Sequence, residues 1–202
     1  MITGKRHDFR IDYSVGFQPD GRITALDFRQ FVRCGWSMDL SLPVADRAML
    51  HADNAYFIPN LRVESHRLKT NTQSATAFRG FGGPQGMVGI ERVLDHVAHA
   101  VGKEPLDVRK LNFYASPPES GPGTGQRFGG PHSPKPKQNT PQTTHYGQTV
   151  EDFILHEMTD QLVAKSDYFR RKELVAAWNE SHPHLKKGLA LTPGKCGISF
   201  TL

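Results

Sequence analysis

Cysteine is nearly absent: Cys34 and Cys196 are the only two in 202 residues, they are far apart, and neither has a Cys-x-x-Cys partner. No disulfide framework or iron-sulfur site follows from such a pair, and isolated thiols fit a reducing cytoplasm. Long apolar runs are missing too. The start, MITGKRHDFRIDYSV, has no signal-peptide core, and no stretch approaches the roughly 18 continuous apolar residues of a spanning helix. The expectation is a soluble chain with no membrane partner and no export signal. Charge is not concentrated either: the net +5 arises from 25 Lys+Arg against 20 Asp+Glu. The basic residues are scattered, which argues against the basic stripe with interleaved aromatics that a nucleic-acid partner needs.

What is present is enough to fold. With 37% hydrophobic residues the chain can bury a sizeable core, as one large domain or two small ones. Phe9, Ile11, Tyr13, Val15 and Phe17 alternate at the two-residue period of a strand with one buried face. Pro19-Asp20-Gly21 is turn chemistry, and a second strand follows from Ile23 to about Val32, its apolar phase shifting between Ala25 and Leu26 as at a bulge. Ser41 is placed to cap a short helix beginning near Pro43, with Ala45, Ala48 and Met49 inward and Arg47 on another face as a solvated helix charge.

The stretch TAFRGFGGPQG, residues 76–86, sets an arginine between two phenylalanines and follows it with four glycines in seven residues. Pro84 suits a first helical turn; Met87, Ile90, Leu94, Val97 and Val101 recur at helical spacing, and Gly102 supplies the stop. A further helix opens at Pro105 with Val108 and Leu111. His96 and His99 share the first of these helices but lack a third ligand nearby, so they read as surface or boundary histidines. From 115 to 147 proline and polar residues dominate, which predicts a disordered insertion. Thr149 and Asp152 resemble a capping pair for a helix through Leu162, and Ser166 starts another through about Trp178. Ile198, Phe200 and Leu202 return to strand alternation and stop in mid-course, suggesting a missing continuation. The fold class is therefore α+β: an N-terminal antiparallel hairpin, central helices after a glycine-rich loop, and a C-terminal strand that brings Phe200 towards Phe81.

The glycines narrow the chemistry. Gly80, Gly82 and Gly83 remove side chains so that a ligand can approach the backbone, and the helix after them offers unpaired N–H groups and a positive dipole end. A tight turn alone is the other reading. A phosphate P-loop is excluded because no Gly-Lys-Ser/Thr follows, and the dinucleotide fingerprint fails because Gln85 stands where its third glycine belongs.

TNTQSATAFRGFGGPQGM, residues 70–87, resembles the molybdopterin-binding part of the xanthine dehydrogenase and xanthine oxidase family. The GKRHDF run, the Arg-Ala-x-x-His-x-Asp-Asn run from Arg47 to Asn54, and the terminal GISFTL agree with it in order, with the bacterial molybdenum subunit most similar. The resemblance implies part of the molybdenum-cofactor-binding domain: residues 1–114 a first segment, 115–147 an insertion, 148–202 a helical segment and a strand leading into a second molybdopterin-binding domain. It implies hydroxylation of hypoxanthine and xanthine to urate at a molybdenum centre held by molybdopterin, with iron-sulfur clusters, FAD and NAD elsewhere in the complex. By motif, Arg79 resembles the residue contacting molybdopterin near the metal, without ligating it through its side chain, and Gly80 and Gly82 the glycines that allow close approach. Phe81 and Phe200 resemble the two rings that sandwich a purine, Thr201 a substrate hydrogen-bond donor, and Arg47 the arginine that orients the purine and stabilises developing charge.

The implied partners are the purine, the remainder of the molybdenum subunit and an iron-sulfur/FAD subunit, in a dimer of heterodimers in the cytoplasm. Nothing in the sequence matches the family's glutamate base, and Cys196 stands where an aromatic residue usually precedes the GISF run. Two alternatives accompany this reading: an aldehyde oxidase-like hydroxylase, and a non-catalytic remnant that serves as a binding or interaction module.

Overall fold

The alternating segments pair first. In a computed structural model that describes residues 4–115, 142–151 and 153–196, strands β1 (Phe9–Phe17) and β2 (Ile23–Gly35) form the two arms of an antiparallel hairpin. Its turn is closed by the Gly21 N–H on the Gln18 carbonyl (2.8 Å) and the Arg22 N–H on Asp20 Oδ1 (2.9 Å). Gly16 faces Ala25 but Phe17 faces Ile23, so Thr24 is the extra residue. The bulge thus sits just before the expected position, and it moves the buried set from Ile23 to Leu26, Phe28, Gln30, Val32 and Cys34. β2 also runs three residues past Val32, to Gly35.

A third strand, β3 (Leu61–Lys69), lies parallel to β2 and is absent from the sequence expectation. Leu61 and Val63 pack on the core, but the same phase continues into Ser65 and Arg67, so the apolar alternation fades after two residues. Parallel strands require a crossover, and helix α1 (Ser41–Leu50) lies in it. Ser41 does not cap this helix: it is its first residue, buried, with its hydroxyl 2.8 Å from His7 Nε2, and the helix begins two residues ahead of Pro43. Val44, Ala45 and Ala48 face inward, whereas Met49 is only half-buried.

Helix α2 (Gly83–Val101) follows the glycine-rich loop and ends at Gly102 in a left-handed cap, as the sequence indicates. Its Ile90, Val93, Leu94 and Val97 are fully buried and pack with Phe28 and Ile23 of the sheet and Val108 of helix α3 (Pro105–Asn112). His96 and His99 are exposed, His96 meeting the Tyr13 hydroxyl. Residues 116–141 of the expected insertion lie outside the described residues; residues 142–147 belong to a small hairpin bridged at Thr143 and Thr149. Helix α4 (Leu155–Ser166) starts later than the Thr149–Asp152 pair suggests and has no side-chain cap; a left-handed Asp167 separates it from α5 (Tyr168–Ser181). Residues 182–196 form neither helix nor strand, and the strand expected at 198–202 lies outside the described residues. The α+β architecture stands. Among the described residues no helix is long and apolar enough to cross a membrane.

Two glycines of α2 show what this packing tolerates. A Cβ at Gly86 would sit 2.3 Å from the Ala48 carbonyl oxygen of α1, while one at Gly89 would meet only side-chain ends, Ile11 Cδ1 and Phe28 Cζ, at 2.6 Å. Side-chain ends can rotate away; a helix backbone cannot. Gly→Ala inside a helix ordinarily gains up to about 1 kcal/mol, but Gly86→Ala should instead lose about 2–3 kcal/mol by forcing α1 from α2. Gly89→Ala should lose less. Urea unfolding of the two variants against the parent chain checks both signs.

Candidate functional site

The loop ahead of α2 is built from residues in an unusual backbone region. Gly80, Phe81 and Gly82 all have positive φ, at 92°, 49° and 93°. The Phe81 N–H bonds the Phe78 carbonyl (2.8 Å) and the Gly83 N–H the Gly80 carbonyl (3.0 Å), so two tight turns overlap and hand the chain to the helix. Gly82 must be glycine for a reason the sequence reading did not give: a Cβ there would lie 1.9 Å from the Val44 carbonyl oxygen of α1. At Gly80 the corresponding space is taken by the Pro84 ring, 2.4 Å away. The room that Gly80 and Gly82 leave on the Cβ side is filled by the protein itself, so packing alone accounts for their missing side chains.

The opposite side of the loop is open. Phe78, Arg79 and Gly80 are exposed, Phe81 half-buried. Arg6 braces the loop from the N-terminal segment, donating from Nη2 to the Arg79 carbonyl (2.7 Å) with its guanidinium 4.3 Å above the Phe78 ring. Gln85, in the first turn of α2, donates to the His7 carbonyl (3.3 Å). Arg6 Nη1 and Gln85 Oε1 are shut off from solvent with no hydrogen-bond partner among the described residues. A donor and an acceptor are thus held unsatisfied on residues that anchor the loop, a costly arrangement unless something completes it.

Arg47 comes close to this loop through the backbone. It lies one helical turn beyond Val44, whose carbonyl touches Gly82, and next to Ala48, whose N–H lies 3.2 Å from the same built Cβ. It is half-buried, which revises its reading as a solvated charge. The structure therefore brings Arg47, Arg79, Gly80, Phe81 and Gly82 onto two touching elements. Phe200 and Thr201 lie outside the described residues.

Behind the loop runs a polar layer that the sequence reading did not single out. Arg109, only 2% exposed, pairs through Nε with Glu91 Oε2 (2.7 Å) and through Nη2 with Asp95 (2.7 Å). Those bonds keep it charged against burial, which by itself would lower its pKa. Glu91 also accepts from the Tyr56 hydroxyl (2.6 Å) and the Asn54 amide (2.9 Å). Asp53, 1% exposed, accepts from Lys195 Nζ (2.6 Å) and the Tyr114 hydroxyl (2.7 Å), with His145 Nδ1 at 3.5 Å. Burial alone would raise its pKa, yet His145, Lys195 and Tyr114 together hold it below the usual value. Tyr114 and Tyr56 are pushed up, first by burial and then by the neighbouring carboxylates. One signal pointed here: Asp53 and Asn54 belong to the quoted His-x-Asp-Asn run. The rest of the layer, at positions 91, 109, 114, 145 and 195, is scattered through the chain.

Residues 1–113 match the molybdopterin cofactor-binding domain family. The chain is 42% identical over 200 residues to a xanthine dehydrogenase of Drosophila subobscura, covering 99% of this chain and 13% of that protein. To a xanthine dehydrogenase of Oryza sativa subsp. japonica it is 38% identical over 201 residues, again 13% of the relative's length. Among solved structures, the aldehyde oxidoreductase from Desulfovibrio gigas superposes with a TM-score of 0.64 at 28% identity, over 86% of this chain and 16% of that one. The chain thus spans a small part of the length of the proteins it matches.

Two histidines at this site make stability depend on pH. His7 is depressed below its ordinary 6.5 by burial and then by the Arg33 charge. His51, which donates from Nδ1 to the Arg47 carbonyl (2.9 Å), is depressed mainly by burial. A depressed folded pKa means that the unfolded chain binds protons first. The stabilisation is complete above pH 6.5 and is lost as pH falls through the lower folded values. Urea midpoints should therefore drop between about pH 6.5 and pH 5, and His51→Gln should flatten that drop. A profile unchanged by the substitution would contradict the assignment.

Proposed function

This chain belongs to the molybdopterin cofactor-binding domain family, and from that premise we propose that it is a segment of a molybdenum hydroxylase that oxidises hypoxanthine and xanthine to urate in purine catabolism. The carrying observation is the seam at which Gly82 meets Val44, because it sets the Arg79–Gly82 loop beside the helix that carries Arg47. Arg6 Nη1 and Gln85 Oε1, which have no hydrogen-bond partner among the described residues, fit a cofactor with both acceptor and donor edges, such as a pterin. Arg79, Gly80 and Gly82, with Arg6 and Gln85, are the residues of this chain that would hold it. Bound there, the molybdenum held by molybdopterin would supply the two-electron centre of the hydroxylation.

The chain's own groups then act on the substrate. Phe81, projecting from a strained turn, stacks on the purine, with Phe200 as the second ring and Thr201 as a hydrogen-bond donor. Arg47 orients the purine and stabilises negative charge as it develops, so its interaction is stronger in the transition state than in the ground state. We place the remainder of the molybdenum subunit and an iron-sulfur/FAD subunit, passing electrons to NAD, around this segment in a cytoplasmic dimer of heterodimers. The likeness to an aldehyde oxidoreductase favours one second reading, an aldehyde substrate. Arg47 weighs against it, since a small aldehyde gives a guanidinium little to pair with.

In a complete enzyme containing this segment, Arg47→Met should cost about 3 kcal/mol of transition-state stabilisation, on the order of a hundredfold in xanthine turnover. Oxidation of a benzaldehyde-type substrate should fall far less. Phe81→Ala should instead raise KM for purines. Steady-state kinetics on both substrates decide; equal losses for Arg47→Met would return the arginine to a role in folding. The 202-residue chain by itself should retain far less than one molybdenum per chain, because one segment cannot enclose a cofactor shared among several. Sustained xanthine oxidation by this chain alone would overturn that expectation.

A further inference from the structure

Residues 182–196 belong to no helix or strand, and 182–188 are exposed throughout, yet the end of this stretch is held by two polar residues that are among the most deeply buried of those described. Asn54, 0% exposed, donates from Nδ2 to the Pro193 carbonyl (3.0 Å) and accepts the Lys195 N–H at Oδ1 (2.8 Å). That is the pairing an opposing strand would offer, supplied by one side-chain amide. Its orientation is fixed chemically. Nδ2 also faces Glu91 Oε1 at 2.9 Å, so the flipped amide would set an oxygen against two acceptors and an N–H₂ group against a donor. Asn54 itself has φ 43°, a left-handed conformation that asparagine tolerates better than most residues. Beside it Asp53 fixes the Lys195 side chain, and the Lys195 ammonium also lies 5.9 Å and 5.2 Å from the Tyr114 and Tyr146 ring centroids.

We propose that Asp53 and Asn54 are positioning residues: a clamp that holds residues 193–195 in register against α2 and so fixes the point at which the chain leaves it. Thr192 and Pro193 line one cleft of about 500 Å³ together with Pro84, Met87 and Val88 of the first turns of α2. A slip of one residue in the clamp would shift the exit by ~3.4 Å and reverse the face presented. Burying a carboxylate and an amide costs more than a hydrophobic pair would, and what they gain here is the register of a segment without secondary structure of its own.

The chain carries its own reporter site. Cys196, exposed, follows the clamp directly, and Cys34 is buried, so a thiol-specific nitroxide labels the exit of the clamp in the folded, otherwise unaltered chain. The label should be immobilised in the parent, and in both Asn54→Ala and Lys195→Met its rotational correlation time should shorten about threefold or more while the far-UV helix signal at 25 °C is retained. Lys195 lies outside every helix and strand, which keeps the test sound should Asn54→Ala fold poorly. A label already mobile in the parent, or equally immobile in both variants, would overturn the proposal. So would release only in variants that have lost helix signal, which would assign the pair to fold support. Neither cofactor nor purine enters the measurement, so its outcome is separate from that of the kinetic tests.

Discussion

The rest of the structure depends on how closely two helices approach. α1 and the start of α2 meet backbone to backbone, with Gly82 against the Val44 carbonyl and Gly86 against that of Ala48. Neither position has room for a methyl group. Close approach of this kind transmits geometry, because a packed backbone seam cannot slide as side chains can. It fixes the height of the loop before α2 relative to Arg47, and Gln30 of β2 ties the same helix to the sheet by donating to the Ala48 carbonyl (3.2 Å). Loop, α1 and sheet therefore form one rigid corner.

A second layer makes that corner polar without making it loose. Arg109, Glu91 and Asp95 link α3 to α2; Tyr56, Asn54 and Asp53 join the segment after α1 to the same network, and Lys195 closes it from the far end of the chain. Such a network is favourable only when its members are satisfied, since a buried charge that loses its partner costs several kcal/mol. Each charge here has one. The layer thus couples pieces that are distant in sequence, and its integrity depends on residues 193–195 being in place.

The parts of the fold that were legible in sequence are those whose signal is local. The hairpin showed as a two-residue period, α2 as a helical period bounded by Pro84 and Gly102, and α3 as a proline followed by spaced apolar residues. β3 was not legible, because its inward phase passes from Leu61 and Val63 to Ser65 and Arg67; partners on β2, not its own pattern, make it a strand. Ser41 misled for a similar reason. Its hydroxyl has a nearby candidate in the helix backbone but is taken by His7, 34 residues earlier. At the site, the loop and Arg47 were found by motif, while Glu91, Arg109, Tyr114, His145 and Lys195 are ordinary surface residue types until the fold buries them together.

The glycines of the loop are explained by packing, so they would be kept by any protein that needed this corner, with or without chemistry. The residues that packing does not explain carry more information. Phe78 is 57% exposed although large and apolar. Phe81 adopts φ 49°, where a turn that served only the fold would carry glycine or asparagine. The left-handed region costs a side chain with a Cβ about 1 kcal/mol or more, and such strain persists where the surroundings impose it, commonly at functional sites. Here the surroundings are identified: Gly80 and Gly82 on either side take left-handed conformations at no cost, and the α1 seam locks the turn. An aromatic ring is thus held half-buried at the head of α2, instead of sunk into the core, by a turn whose geometry the packing of α1 dictates.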